Sequence, residues 1–175
     1  MRAHTSLLLL EYEHLKEEQR LRISTRDNLV YTSLAAFALV IAGAIETGAP
    51  AMLTLLPPVC MILGWTYLVN DDRITAIGLH IKDAITPELV RQGHPAGGVF
   101  TWEHRHRADP RRARRKSVQL VVDLGLFCAP PLIAVAVAWS ATPHSLAMMA
   151  VIAAETAGTL VLASHFLRNA VSGQA

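Results

Sequence analysis

The chain has 175 residues, 52% of them hydrophobic and only 17% charged, with a formal net charge of +2. A soluble domain of this size carries about 25% charged residues, so composition leaves no room for a separate soluble domain of normal size. Bulk charge is too small to identify a partner, and Cys60 and Cys128, each inside an apolar block, read as small hydrophobes rather than a disulfide or metal pair.

At the N-terminus, Thr5 or Ser6 can cap a helix beginning at Leu7. The apolar run 7–10 is too short for a signal-peptide core, and Glu11, Glu13 and Lys16 follow it. The first long apolar block is therefore expected to direct the chain to the membrane. Leu8, Tyr12, Leu15 and Gln19 share one helical face, ringed by Glu11, Glu13, Glu17, Glu18 and Arg20. With neither Pro nor Gly before Gly43, one long helix is predicted, a stalk over residues 1–28 that continues into the first span. The Leu8, Tyr12 and Leu15 stripe reads in two ways: packing on the chain's own loop helix, or a coiled-coil-like contact with a second copy or a protein partner.

A helix needs about 20 apolar residues to cross a bilayer. Continuous apolar blocks predict spans at 29–45, 51–69, 118–140 and 145–167, and their lack of alternation argues against a barrel. The joins after Glu46 and after Ala141 are short and turn-like, so the spans are expected to pair as two hairpins, 29–70 and 118–167. All sixteen Lys and Arg residues fall outside both joins: five before the first span, ten between the second and third, and Arg168 after the fourth. The positive-inside rule then puts both termini, the 71–117 loop and the 168–175 tail in the cytoplasm of a bacterial inner membrane. Pro57, Pro58, Pro130 and Pro131 are expected to kink the second and third spans and free backbone carbonyls.

In the loop, Asn70, Asp71, Asp72 and Arg73 mark the exit to water. Ile74, Ile77, Ile81 and Ile85 then recur at helical spacing up to Pro87, predicting an amphipathic helix over 73–86 that packs on the stalk. Phe100 and Trp102 are candidates for interfacial anchors. The run Arg105, Arg107, Arg111, Arg112, Arg114, Arg115 and Lys116 reads as a topology signal and a contact for anionic lipid or a cytoplasmic partner. Nucleic acid is not expected there, since no recognition fold surrounds the run. His94, His104 and His106 lack the spacing of a metal site, and no cofactor motif occurs.

Ionisable residues inside spans are costly and become functional candidates by default. Glu155 lies about ten residues into the fourth span, near mid-depth at about 1.5 Å per residue. Asp123 is closer to the cytoplasmic end of the third span, with Gln119 one turn before it. Tyr31, Thr32, Thr66, Asn70 and Thr159 lie at depths where they could line the same interior, and no Lys or Arg in any span can neutralise Glu155. These groups read as a packing contact or as part of an ion or proton path. Ala150, Ala154 and Gly158 place small residues beside Glu155.

The stretches Leu10-Glu-Tyr-Glu-His-Leu-Lys-Glu-Glu-Gln-Arg-Leu-Arg22 with Arg26-Asp-Asn-Leu-Val-Tyr31, and Leu63-Gly-Trp-Thr-Tyr-Leu-Val-Asn-Asp-Asp-Arg-Ile-Thr-Ala-Ile-Gly78, resemble a group of uncharacterised bacterial four-span membrane proteins. They cover about a fifth of the chain. The resemblance implies the four-span layout and no catalytic residue. In architecture alone, a cytoplasmic helix joined to a membrane hairpin is similar to small membrane effectors of bacterial conflict systems. No nucleophile–base pair or metal cluster can be assembled, so an enzyme is not expected. The expectation is an all-α, polytopic, homo-oligomeric membrane sensor, effector or scaffold, with a small transporter or ion pathway as the alternative.

Overall fold

The computed structural model describes residues 2–92, 112–143 and 145–172, and these are helical apart from short turns. Helix α1, Arg2–Thr47, runs unbroken for 46 residues, more than twice the about 20 that cross a bilayer. It begins ahead of the predicted cap, so Thr5 and Ser6 lie inside it. Polar residues along it satisfy themselves: the hydroxyls of Thr25, Thr32 and Ser33 donate to the carbonyls of Leu21, Asn28 and Leu29 at 2.8–2.9 Å. Gly48, at φ +62°, ends the helix in the left-handed region that favours glycine. The Ala49 N–H then closes the turn on the Ala44 carbonyl at 3.2 Å.

A 3-10 turn, Pro50–Leu55, leads into α2, Leu56–His80. Beyond it come a π-helical turn, Ile81–Ile85, and α3, Thr86–Arg91. The predicted loop helix is thus continuous with the second apolar block, and it passes through Pro87 instead of stopping there. Proline has no N–H, and its ring collides with the carbonyl four residues back. The wider turn relieves that collision. The Thr86 N–H reaches the Ile81 carbonyl, and the Thr86 hydroxyl donates to the same oxygen at 2.8 Å.

The third apolar block is two helices, α4, Arg112–Phe127, and α5, Ala129–Ala141, broken at Cys128. The last helix, α6, is Leu146–Ser172. Among the described residues, four segments are long and apolar enough to cross a membrane: Ser6–Thr47, Pro50–Arg91, Lys116–Ala141 and Leu146–Val171. Each proline pair follows an interruption of the α-helical path. Pro57 and Pro58 occupy the first turn of α2, and Pro130 and Pro131 the first turn of α5. There the missing N–H groups would have had no intrahelical partner anyway. Between α4 and α5 the interruption is the single residue Cys128, which keeps right-handed helical dihedrals and donates its N–H to the Leu124 carbonyl at 3.0 Å, so that segment is broken just ahead of Pro130 and Pro131, where a bend was expected.

The chain divides into two compact units, Met1–Asp27 with Val69–Arg112, and Asn28–Leu68 with Ala113–Ala175. In the first, the N-terminal part of α1 lies antiparallel to the end of α2 and α3. Ile77, Ile81, Ile85 and Leu89 are buried, and Leu8, Tyr12 and Leu15 pack against them. In the second unit, Tyr67, Leu68, Phe127, Cys128, Leu162 and Phe166 form the core. Phe127 stacks on Phe166 at 5.9 Å between ring centroids, and Tyr67 tilts against Phe127 at 5.1 Å. Gly64 permits this packing, because a Cβ there would lie 2.8 Å from Leu162 Cδ2 and 3.1 Å from Phe127 Cβ. Helix α5 packs against both the Pro50–Leu55 turn and α6.

Candidate functional site

In the first unit, the antiparallel helices are joined by polar contacts at the base of their apolar seam. Asn70, buried on α2, donates through Nδ2 to the Arg22 carbonyl at 2.5 Å and accepts from Arg22 Nη1 at 3.4 Å. One turn along α1, Arg26 Nη1 donates to Asp71 Oδ1 at 3.2 Å. Farther from this point, Gln19 Nε2 donates to the Ile74 carbonyl at 3.5 Å, and His80 Nε2 meets Glu11 Oε1 at 3.1 Å. Arg22 is also held by Glu18, one turn back on its own helix, at 2.6 Å. Sequence reading treated these arginines only as topology signals. The polar contacts of the seam run from Glu11 to Arg26 on α1 and from Asn70 to His80 on α2.

The stalk stripe Leu8, Tyr12 and Leu15 is occupied by the chain's own helix. A different face is left open. Leu7, Leu10 and Leu21 are exposed at spacings of three and eleven residues, which share one side of a helix.

In the second unit, the polar groups separate by depth and by partner. Glu155 Oε2 is sealed from solvent and is, among the described residues, the one buried side-chain oxygen or nitrogen without a hydrogen-bond partner. One turn further on, the Thr159 hydroxyl donates to the Glu155 carbonyl at 2.9 Å, and the Met61 side chain of α2 lies directly on Gly158. Asp123 is buried on α4 and is not isolated, and Gln119 is half-buried. Ala150 and Ala154 are exposed, so only Gly158 of the small-residue stripe takes part in the packing.

Of the polar neighbours expected in the interior, Thr159 and Asn70 are buried, each in its own unit. Tyr31, Thr32 and Thr66 face outward. Thr32 and Thr66 satisfy their hydroxyls on the carbonyls of Asn28 and Ile62, both at 2.8 Å, and so can face an apolar medium. Two features were missed from sequence. Ser33 is fully buried within α1, and Trp65 meets His165 edge-on at 5.2 Å. Cys60 and Cys128 are both buried and unbonded.

Arg105, Arg107 and Arg111, with His94, His104, His106, Phe100 and Trp102, lie outside the described residues. The backbone of Arg112, Arg114, Arg115 and Lys116 forms the first turns of α4. Among the described residues, no three His, Cys, Asp or Glu side chains come together as metal ligands. No family model matches the chain, and no curated protein and no solved structure matches it either.

Proposed function

We propose that this chain is a non-enzymatic bacterial inner-membrane protein that acts as a homo-oligomeric sensor, effector or signalling scaffold. Its four spans form two hairpins, and its termini and the 71–117 loop are cytoplasmic. The observation that supports this most is the seam between the stalk and the end of α2. Outside the apolar blocks, the chain builds a second hydrophobic core and joins it with Arg22–Asn70 and Arg26–Asp71. A chain whose extramembrane parts served only as topology signals would need basic residues there and no core. The Arg-rich run from Arg105 to Lys116 would meet anionic lipid or a cytoplasmic partner.

Because Leu8, Tyr12 and Leu15 are covered from within, assembly would use the face carrying Leu7, Leu10 and Leu21. The test is the oligomeric state of the purified full chain in lipid nanodiscs. Leu7→Glu with Leu10→Glu and Leu21→Glu is expected to reduce the wild-type assembly to monomers while helix content is retained. A wild-type chain that is already monomeric removes the oligomeric reading.

A second reading is favoured by the orphaned oxygen of Glu155. It makes the chain a small ion or proton pathway through Glu155, with Asp123 and Gln119 nearer the cytoplasm. Flux across liposomes that is the same for wild type and Glu155→Gln removes that reading.

A further inference from the structure

The inward face of α6 changes character at one residue. Met148, Ile152, Glu155, Thr159, Leu162 and Phe166 recur at alternating intervals of four and three, which places them on a single stripe. Below Glu155 the stripe is closed: Thr159 is 1% exposed, Leu162 3% and Phe166 3%. Leu162 and Phe166 belong to the aromatic core with Tyr67 and Phe127. From Glu155 toward Leu146 the same stripe is only half-covered, and Val151 beside it is 43% exposed.

Glu155 sits on this boundary. Its Oε2 is sealed and without a partner, yet the residue as a whole is half-exposed. No side-chain hydrogen bond or ion pair of Glu155 exists among the described residues, and its other oxygen is not sealed. A carboxyl oxygen that is desolvated and undonated costs free energy unless something neutralises it. The residues around it on the stripe supply no charge, and the stripe is less covered toward Leu146 than toward Phe166.

We propose that Glu155 is a dead-end cation site, entered from the Leu146 end of α6 and closed toward the other end by Thr159, Leu162, Phe166, Phe127 and Tyr67. The occupant is a proton, which neutralises a carboxylate without further ligand oxygens. Entry at the Leu146 end is entry from outside the cell on the positive-inside orientation. The site reports the outer medium without letting the ion through, so it stands whether or not the chain carries flux. It would give a sensor with no sizeable outer surface a means of reading the outside.

The test uses the full chain in liposomes and a membrane-impermeant carbodiimide, which modifies protonated carboxyls, applied to either face. The adduct is read by mass on the peptide containing residue 155. The expected result is modification from the Leu146 side alone, lost in Glu155→Gln and lost again in Ile152→Trp, which fills the half-covered stripe and keeps the carboxyl. Slowing by sodium chloride relative to choline chloride at constant pH overturns the proton as occupant. Slowing by raised pH alone is the expected result. Modification by lipid-soluble dicyclohexylcarbodiimide but not by the impermeant reagent overturns the proposal, because the carboxyl then faces lipid. Modification from the Phe166 side overturns it equally. Sidedness survives a failure of the flux test, so the two readings fail separately.

Discussion

Arg26 and Asp71, 45 positions apart in the chain, meet at 3.2 Å, one residue from the point where Asn70 grips the Arg22 backbone. The charge pair and the amide contact differ in kind. About a quarter of each charged side chain is exposed, so water screens the pair. Asn70 is buried and exchanges hydrogen bonds with both the backbone and the side chain of Arg22.

Asp71→Asn is therefore expected to cost about 0.5–1 kcal/mol and Asn70→Ala about 1–3 kcal/mol. Thermal unfolding in a mild detergent measures both. The double reversal Arg26→Asp with Asp71→Arg should recover part of the loss of either single change. No recovery would mean the pair contributes nothing to stability.

Ile81 is fully buried at the centre of the stalk seam. Ile81→Ala is expected to cost about 2–4 kcal/mol. Hydrogen exchange should rise over residues 8–19 and 74–89, with Tyr67 and Phe166 keeping their protection. Uniform loss across both regions would show a single cooperative core in place of two.

Gly64 and Gly158 are both covered by neighbouring side chains, with unequal tolerance. Gly64→Ala meets the Phe127 Cβ, which cannot move without its helix, and should destabilise by about 1–3 kcal/mol. Gly158→Ala meets only the end of the flexible Met61 side chain and should be far milder. Leu162→Ala should not rescue Gly64→Ala, since Phe127 remains. Melting temperatures of the three variants decide the order.

Glu155→Leu should raise thermal stability by about 1–3 kcal/mol, because it removes an oxygen that is buried with nothing to bond. A fall in stability would mean that Glu155 holds the packing together, through partners beyond the described residues.

Much of the helical layout could be read from sequence, because it depends on length and apolarity. The long α1 followed from the absence of breakers before Gly43, and the seam followed from Leu8, Tyr12 and Leu15 facing the isoleucine repeat. What could not be read depended on three-dimensional partners. Thr32 and Thr66 have the right depth for an interior, but a hydroxyl that bonds its own helix carries no sign of which way it points. The two proline pairs mark the interruptions at Pro50–Leu55 and Cys128, but an unbroken apolar run does not show how far the helical path is interrupted at each. Arg22 and Arg26 were indistinguishable from other basic residues outside a span until Asn70 and Asp71 were beside them. The stripe from Met148 to Phe166 was present in the spacing all along. Its change from half-covered to sealed at Glu155 needs the neighbouring helices.

The π-turn at Ile81–Ile85 has a consequence for which insertions and deletions the chain tolerates. Such a turn amounts to an α-helix carrying one surplus residue. Discounting that residue, the buried line Ile77, Ile81, Ile85 and Leu89, spaced by fours in sequence, follows the four-three-four rhythm of an ordinary helix face. Deleting Ala84 together with Pro87→Ala should then straighten the helix and leave Leu89 against the stalk. Deleting Gly78 or Leu79 would turn everything beyond it by about 100° and separate the arms. The arm thus has one place where its length can change by a single residue without losing its register.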